Sequence, residues 1–197
     1  MNTTTVEIVP YQERWGQEFA AIGQALRGAL GELALRIDHI GSTSVPGLAA
    51  KDIIDIQITV ASLLPVEPLD EALATIGFSR RLDVTGDHRP PGDTTSPDSD
   101  WAKYLGKPPE GHRLTNVHVR VAGAANQRYA LLFRDYLRTH PGSAAAYAET
   151  KRRLAHYLPD NRQAYVTIKD PVCDLIMAAA ETWAAVTYWQ PGPSDIP

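Results

Sequence analysis

Two short segments in which apolar and polar residues alternate constrain the fold more than any other feature of the sequence. Isoleucine or valine occupies every second position from residue 54 to 60 and again from 117 to 121. This period of two predicts β-strands over residues 52–60 and 114–121, each with one apolar and one polar face. The polar residues that alternate with the apolar ones are Asp55, Gln57 and Thr59 in the first segment and Asn116, His118 and Arg120 in the second.

The polar faces of these strands have two interpretations. A half-buried strand can turn its polar side chains to bulk solvent at no cost. The alternative is a functional site, because a solvent-facing strand more often carries Thr, Lys or Glu than the Asn-x-His-x-Arg pattern of residues 116–120. If the strands are neighbours in one sheet, Asp55, His118 and Arg120 converge on one side. We therefore predict that Asp55 and His118 lie on adjacent strands and share a face.

The rest of the chain predicts a single α/β (α+β) domain over residues 1–190. A mixed sheet with helices on one face forms a core over about 6–122, and a C-terminal helical extension occupies about 126–188. Asp160 begins a short helix, and Asp170 with Pro171 begins a last, separate helix. Residues 191–197 are expected to form a flexible tail. Further helices are predicted over about 12–35, 69–76, 126–139 and 143–157, and short strands over about 34–39 and 78–84.

Residues 85–112 are rich in glycine, proline and charged side chains. Such a long irregular segment is commonly a lid over a functional site or a disordered insertion. We expect a mobile lid, anchored by one turn around Trp101 and Tyr104.

Charge and composition limit the classes of partner. The chain has 19 Lys and Arg residues against 23 Asp and Glu residues, a net charge of −4, which argues against extensive nucleic-acid or anionic-membrane binding. No apolar run reaches the roughly 18–20 residues that span a bilayer. The first ten residues lack the features of a signal peptide, and the single cysteine, Cys173, cannot form an internal disulfide. These features predict a cytoplasmic protein whose cysteine is a buried, inert thiol.

The loop GSTSVPG, residues 41–47, lies about ten residues before Asp55. Its glycines and hydroxyls suit a tight turn that offers hydrogen-bond donors to a phosphate or carboxylate. Lys51, four residues before Asp55, either forms an ion pair or binds a phosphate oxygen.

These motifs resemble the GrpB-like family. The resemblance begins with HIGSTSVPGL at residues 39–48 and with Lys51, and it extends over about residues 6–185. It continues through NVHV at 116–119, FRDYLR at 133–138, and the Tyr-Lys pairs at 147/151 and 165/169. The chain is also similar to domains fused to dephospho-CoA kinase in some bacteria. The resemblance implies the nucleotidyltransferase superfold, in which Gly41 and Ser42 open the active-site turn and three carboxylates hold two Mg²⁺ ions.

The chain departs from that carboxylate pattern. Asp55 fits the first carboxylate, but Gln57 occupies the second position and residues 116–120 hold none. A site for two divalent ions needs several anionic ligands. One Mg²⁺ or Mn²⁺ ion held partly by a bound phosphate is the remaining metal prediction, with Zn²⁺ through His118 as a less favoured one. Asp55 and His118 are therefore the predicted catalytic residues and the predicted metal ligands.

The predicted helices add further cations with two interpretations. The pairs Tyr147–Lys151 and Tyr165–Lys169 stand four residues apart, so each is either a packed tyrosine beside its lysine or part of an anion site over the sheet. Arg128 and Arg134 belong to a possible basic rim on the same side. The predicted substrate-binding residues are Gly41, Ser42, Thr43, Ser44, Lys51, Gln57, Asn116, Arg120, Arg128, Arg134, Tyr147, Lys151, Tyr165 and Lys169.

Two functions from different classes follow. The first is an enzyme of nucleotidyltransferase fold that transfers a phosphoryl or nucleotidyl group on a nucleotide or another phosphate-bearing small molecule, with one carboxylate. The second is a non-catalytic binding or accessory module that keeps the pocket. The missing carboxylates favour the module, and the retained Asp55, His118 and Lys51 favour the enzyme.

Overall fold

A computed structural model describes residues 5–197, which form five helices, five strands and short 3₁₀ turns. The strands are β1 (Arg36–Ile40), β2 (Ile54–Val60), β3 (Ser79–Arg80), β4 (Tyr104–Lys107) and β5 (Thr115–Val121). The helices are α1 (Arg14–Leu30), α2 (Glu67–Ala74), α3 (Ala125–Thr139), α4 (Pro141–Tyr157) and α5 (Arg162–Thr187). None of the helices in this part of the chain combines the length and the apolar character needed to cross a membrane.

The strands form one mixed sheet in the order β1-β2-β5-β4-β3. The central pair β2 and β5 is parallel, and every other pair is antiparallel. This arrangement confirms the predicted mixed α/β class. It also makes the two alternating segments direct neighbours, so the polar residues of both strands lie side by side on one face.

The apolar face of the sheet packs against α1 and α2. The side chains of Ile54, Ile56 and Ile58 are fully buried there, together with Trp15 of α1 and Leu73 of α2. Burial of one such aliphatic side chain stabilises the fold by about 1.5–3 kcal/mol relative to an exposed one. The period-two pattern thus marks the face of these central strands that packs against this apolar helical layer.

A second apolar cluster joins α3, α4 and α5 to the loop after β1. Leu132, Tyr147 and Met177 pack with Val45 and Leu48 of that loop. This helical extension lies on the side of the polar face, since Gln57 in β2 donates to the Gln127 carbonyl in α3. The polar face is therefore enclosed between the sheet and the extension.

The helix boundary predicted at Asp170–Pro171 is wrong. A single helix, α5, runs through Pro171, and it begins after Asn161, whose side chain accepts from the Ala164 amide. Proline removes one hydrogen bond from a helix interior at a cost of roughly 3 kcal/mol. Tyr165 and Cys173 are buried on either side of Pro171, so packing on both sides holds the helix continuous.

The flexible tail predicted for residues 191–197 is also wrong in part. Ile196 is buried and pairs with Ile37, and its amide donates to the Ile37 carbonyl. Ser194 accepts from the Ile37 amide, and Asp195 accepts from the His39 amide. The segment is held because its side chains satisfy the outward amides of β1, a long-range effect that a turn-rich composition does not reveal.

Residues 85–112 contain β4 and one 3₁₀ turn, Asp98–Trp101. Trp101 and Tyr104 are buried, as the predicted anchor requires. Asp87 is also fixed at the start of the segment, because it accepts from Lys103 and Arg120. Mobility of the remaining residues stays a prediction.

Candidate functional site

A cleft of about 320 Å³ lies between the polar face of the sheet and helices α3, α4 and α5. The turn after β1 forms one end, and Asp87, His88 and Trp101 from residues 85–112 border the other. Twelve of the predicted site residues line it: Gly41, Ser42, Thr43, Lys51, Asp55, Asn116, His118, Arg120, Tyr147, Lys151, Tyr165 and Lys169.

Asp55 and His118 form the centre of the polar wall. Asp55 pairs with Asn116 across the parallel strands, and Asn116 Nδ2 donates to Asp55 Oδ1 at 2.8 Å. His118 Nε2 lies 3.6 Å from the same oxygen. The structure thus places Asp55 and His118 on adjacent strands and on one face, as the strand pattern predicts.

The local environment separates the charge states of these two groups. Burial opposes ionisation of Asp55, but His118, Asn116 and the Lys51 charge outweigh it and lower the pKa of the carboxyl. Burial lowers the pKa of His118 more strongly than Asp55 raises it, and Arg120 lowers it further. At neutral pH the site therefore holds a carboxylate beside a neutral imidazole, which can accept a proton.

Gly41 allows the turn after β1 to approach this centre. Its φ of 68° and ψ of −172° fall in a region that is essentially restricted to glycine. A Cβ atom at this position would lie 2.6 Å from Asp55 Oδ2. The glycine at position 41 is thus required by both its backbone conformation and the carboxylate beside it.

The opposite part of the cleft is cationic. Lys51 lies 5.2 Å from the centre of the Tyr165 ring, and Lys169 donates to Asp170 at 2.9 Å. Lys151 and Arg162 line the same region. Burial lowers the pKa of Lys51, and Arg162 and Lys169 lower it further against the opposing charge of Asp55. Several cations held close together in this way favour an anionic ligand.

Aromatic rings form a continuous wall along the helices. Trp101 meets Tyr129 at 6.2 Å between ring centres, Tyr129 meets Phe133 at 6.2 Å, and Phe133 meets Tyr147 at 5.6 Å. The sequence predicts Trp101 only as an anchor of the lid, and it places Tyr129 and Phe133 in the helix over 126–139, with Phe133 also in the FRDYLR motif of the family resemblance. Their spacing of four residues on α3 was the available signal, but it is equally typical of core packing.

Two buried polar atoms in residues that line the cleft have no hydrogen-bond partner among residues 5–197. They are Asn126 Oδ1 and the hydroxyl of Tyr165. The orientation of the Asn126 amide is fixed, because its Nδ2 donates to Asp87 Oδ2 and to the Ala102 carbonyl. Since unpaired buried polar groups are costly, both atoms are candidates for contacts with a ligand.

Gln57 lies away from the lining of the cleft. It is fully buried outside the lining of the cleft, where its amide accepts from Arg120 and donates to the Gln127 carbonyl. Arg120 does line the cleft, but Asp87 accepts from its Nε at 2.8 Å. The guanidinium is therefore committed to a buried ion pair that sequence analysis missed, because Asp87 lies in an aperiodic segment.

Three more predicted residues also lie away from the lining. Arg134 is buried and donates to the His39 carbonyl and to Asp195, so it secures β1 and the C-terminal segment. Arg128 pairs with Glu181 on the surface. Ser44 donates to the Gly41 carbonyl at 2.6 Å, so it shapes the turn. Internal partners explain all three positions, and those of Arg134 and Arg128 are distant in sequence.

The residues present do not fit a centre of two divalent ions. In residues 5–197 no group of three or more His, Cys, Asp or Glu side chains is arranged to hold a metal. Among residues 5–197, Asp55 is the carboxylate within ion-pair distance of His118, and one of its oxygens already accepts from Asn116. The charge of Lys51 also acts on Asp55, because it lowers the pKa of that carboxyl. A second metal ion would therefore add positive charge to a region that already holds a cation.

Comparison with known proteins assigns the family. The family model described as GrpB protein matches residues 5–179. The chain belongs to the GrpB family. A solved GrpB structure from Enterococcus faecalis aligns with 93% of this chain and 100% of that chain, at a TM-score of 0.72 and 29% identity. The predicted resemblance is thereby confirmed.

Two further GrpB relatives differ in length. A protein named dephospho-CoA kinase from Mycolicibacterium paratuberculosis is 38% identical over 94% of this chain, but the match covers 48% of that protein. A UPF0157 protein of Pseudomonas aeruginosa is 38% identical over 89% of this chain and 67% of its own length. The chain thus spans about half the length of the first of these relatives, as expected for a fused domain.

Replacement of Asp55 by asparagine tests the coupling at the centre of the cleft. The change removes the charge that raises the pKa of His118, while burial and Arg120 continue to lower it. We therefore expect the pKa of His118 to fall further in Asp55→Asn, as measured by NMR titration of the imidazole C–H resonances. An unchanged titration of His118 would show that the two side chains are not coupled.

Proposed function

We propose that this GrpB protein binds a phosphate-bearing small molecule of the nucleotide class and transfers its phosphoryl or nucleotidyl group. The observation that carries the proposal is the cleft itself. Lys51, Lys169 and Arg162 line it together with Asp55 and His118. This local excess of cations favours an anionic ligand. Because the chain as a whole has a net charge of −4, the ligand is expected to be a small anion and not an extended polyanion.

The lysine side of the cleft supplies the phosphate subsite. Lys51 lies 5.2 Å from the centre of the Tyr165 ring, and Lys169 lines the same cleft. The hydroxyl of Tyr165, which has no partner among residues 5–197, can donate to a phosphate oxygen. Ser42 and Thr43 contribute hydroxyls from the turn after β1. Lysine ammonium groups and hydroxyls are suitable donors to phosphate, and partial burial strengthens their interaction with its charge.

The aromatic side of the cleft suits a flat ring. Ring faces and edges for stacking are offered by Trp101, Tyr129 and Phe133. Stacking of a base on an aromatic side chain contributes about 1–3 kcal/mol to binding. Asn126 Oδ1 is a fixed acceptor without a partner, so the ring should carry an N–H or O–H donor. A nucleotide has both the ring with a donor and the phosphate.

The chemistry at the centre is proton transfer and charge neutralisation. The neutral His118 accepts the proton of an attacking hydroxyl, and Asp55 stabilises the imidazolium that forms. Lys51 and Lys169 neutralise the charge that develops on the phosphate and the leaving group. No step requires a divalent ion; if one Mg²⁺ or Mn²⁺ were bound, Asp55 would hold it and the ion would neutralise charge on the phosphate.

A non-catalytic accessory module is the second candidate. One observation favours it in particular: the match covers only 48% of a relative named dephospho-CoA kinase, so in that protein the region accompanies other sequence. An accessory module would bind the ligand without turning it over.

Ligand binding is the first test. Nucleoside triphosphates and inorganic diphosphate are expected to raise the melting temperature of the protein, whereas the corresponding nucleosides alone should raise it much less. Lys51→Met and Lys169→Met should abolish the shift. Lys107→Met is the matched control, because Lys107 is an exposed lysine on β4 outside the cleft. Equal shifts for all three variants would contradict the phosphate subsite.

Turnover separates the two candidates. Phosphorus NMR of a nucleoside triphosphate with the protein and an alcohol acceptor should show transfer or hydrolysis, with and without Mg²⁺ or Mn²⁺. His118→Asn should retain ligand binding and lose about 100-fold or more in rate. Binding without turnover in the unmutated protein would favour the accessory module.

A further inference from the structure

Ser42 and Lys151 form a contact that the proposed function does not use. Lys151 Nζ donates to Ser42 Oγ at 2.8 Å and to the Ala49 carbonyl at 2.5 Å. The nitrogen also lies 4.5 Å from the centre of the Tyr147 ring. The lysine is only 3% exposed, whereas Ser42 is half-buried and lines the cleft.

Lys151 Nζ lies within hydrogen-bond distance of Ser42 Oγ. The Ala49 carbonyl accepts one N–H, and the centre of the Tyr147 ring lies 4.5 Å from the nitrogen. Toward Ser42 Oγ, 2.8 Å away, the nitrogen presents a hydrogen in the ammonium form and can present its lone pair in the amine form. The amine can therefore accept the proton of the serine hydroxyl without any movement of the side chain, which is the geometry of a nucleophile beside its base.

The charges around Lys151 favour the amine. Burial, together with the charges of Lys169, Lys51 and Arg152, lowers the pKa of Lys151 to about 7 against the opposing effect of Cys173. Among residues 5–197, no carboxylate lies within ion-pair distance of its Nζ. A buried lysine in such surroundings is suited to act as a general base.

We propose that Ser42 is a nucleophile activated by Lys151, and that group transfer in this cleft proceeds through a covalent Ser42 intermediate. For its substrate the proposal rests on the proposed function. Ser42 Oγ forms a bond to phosphorus, and the bond from phosphorus to the leaving group breaks with its electron pair. The serine proton passes to Lys151 Nζ. An acceptor hydroxyl then attacks phosphorus while His118 takes its proton, and Ser42 Oγ leaves and recovers its proton from Lys151.

Gly41 explains why the nucleophile would stand at this place. It brings the turn into contact with Asp55, which lies beside His118. The base for the first step and the base for the second step therefore flank the same turn. Lys51 and Lys169 line the same cleft and stabilise the charge of the leaving group.

The test uses an alkyl fluorophosphonate, a reagent for activated serines that does not depend on knowing the substrate. Ser42 Oγ bonds to its phosphorus, fluoride leaves with the electron pair, and Lys151 accepts the proton. We expect one adduct, located at Ser42 by mass spectrometry of peptides. The labelling rate should rise with pH through about 7, where Lys151 loses its proton, and then level off.

Variants decide whether Lys151 is the base. Ser42→Ala should abolish labelling, and Lys151→Met should slow it by about 100-fold or more at pH 8. Ser79→Ala and Lys107→Met, at exposed positions outside the cleft, should react like the unmutated protein. Melting curves establish that each variant is folded, and the pH profile of the unmutated protein gives a readout without any mutation.

The outcomes separate this proposal from the proposed function. Absence of labelling at Ser42 in the folded protein, or equal labelling of Lys151→Met, would overturn the nucleophile even if nucleotides bind. Conversely, labelling with the expected pH profile supports the nucleophile, and a failure of phosphates to bind the same protein would contradict only the proposed function.

Discussion

Gly41→Ala is expected to lower the free energy of unfolding by about 3 kcal/mol or more. The backbone at Gly41 has a φ of 68° and a ψ of −172°, which a residue with a Cβ atom adopts only under strain. The added carbon would also lie 2.6 Å from Asp55 Oδ2. Either β2 or the turn must shift, so ligand binding should be lost as well. Urea denaturation measures the first effect and calorimetric titration the second.

Gly47 provides the matched control for this prediction. It belongs to the same loop and has a φ of 78°, but a Cβ atom there would meet nothing within 4 Å. Gly47→Ala should therefore cost only the backbone strain, about 1–2 kcal/mol. If the two variants were equally destabilised, the contact between Gly41 and Asp55 would contribute nothing.

Asp87→Asn is expected to destabilise the protein by about 3–5 kcal/mol, because it leaves buried cations without their counter-charge. Asp87 accepts from Arg120 at 2.8 Å and from Lys103 at 2.7 Å, and the side chains of both partners are less than 10% exposed. Asparagine keeps the shape of the side chain but not its charge. Urea denaturation at pH 7 measures the loss.

Acid titration gives a second measurement for Asp87. The charges of Arg120 and Lys103 and the hydrogen bond from Arg120 outweigh burial and lower the pKa of Asp87 well below its ordinary value of 3.8. A lowered carboxyl pKa contributes stability that is present above 3.8 and is lost as the pH falls below it. The unmutated protein should lose stability over this acid range more steeply than Asp87→Asn.

Asp98 serves as the control within the same segment. It also pairs with an arginine, Arg89, at 3.0 Å, but its side chain is fully exposed. Solvent screens such a pair, so Asp98→Asn should leave the unfolding curve unchanged. Comparable losses for Asp87→Asn and Asp98→Asn would mean that burial of the Asp87 cluster has no energetic consequence.

The centre of the cleft could be predicted from the sequence because strand periodicity is local. Alternation alone assigns Asp55 and His118 to one face, and only their adjacency had to be assumed. The parallel pairing of β2 with β5 supplies that adjacency. The turn with Gly41 and Ser42 was likewise visible as a run of small and hydroxyl residues.

The roles of the polar residues around that centre could not be predicted in the same way. Gln57 is predicted to bind a ligand because it alternates onto the polar strand face, and Arg134 because it belongs to a possible basic rim. Both are buried with partners distant in sequence, such as Asp195 for Arg134 and Arg120 for Gln57. No local pattern distinguishes a polar group that binds a ligand from one that satisfies another part of the chain.

The helical extension shows the same limit for backbone structure. Pro171 is a strong local signal for a helix boundary, yet α5 continues through it. Tyr165 and Cys173 are buried on either side of Pro171, and Cys173 contacts Tyr147 of α4. This packing offsets the backbone hydrogen bond that Pro171 cannot donate. The aromatic wall was missed for a related reason, since Tyr129 and Phe133 follow the ordinary pattern of a core-facing helix.

The segment over residues 194–196 has a consequence for association between chains. A free edge strand offers a row of unpaired amides on which another chain can add a strand and begin to aggregate. Ser194 and Asp195 occupy the outward amides of Ile37 and His39 in β1, and β3 at the opposite edge has only two residues. Both margins of the sheet are thereby poor templates for strand addition. Loss of residues 194–196 would uncover β1 and expose the protein to edge-to-edge aggregation.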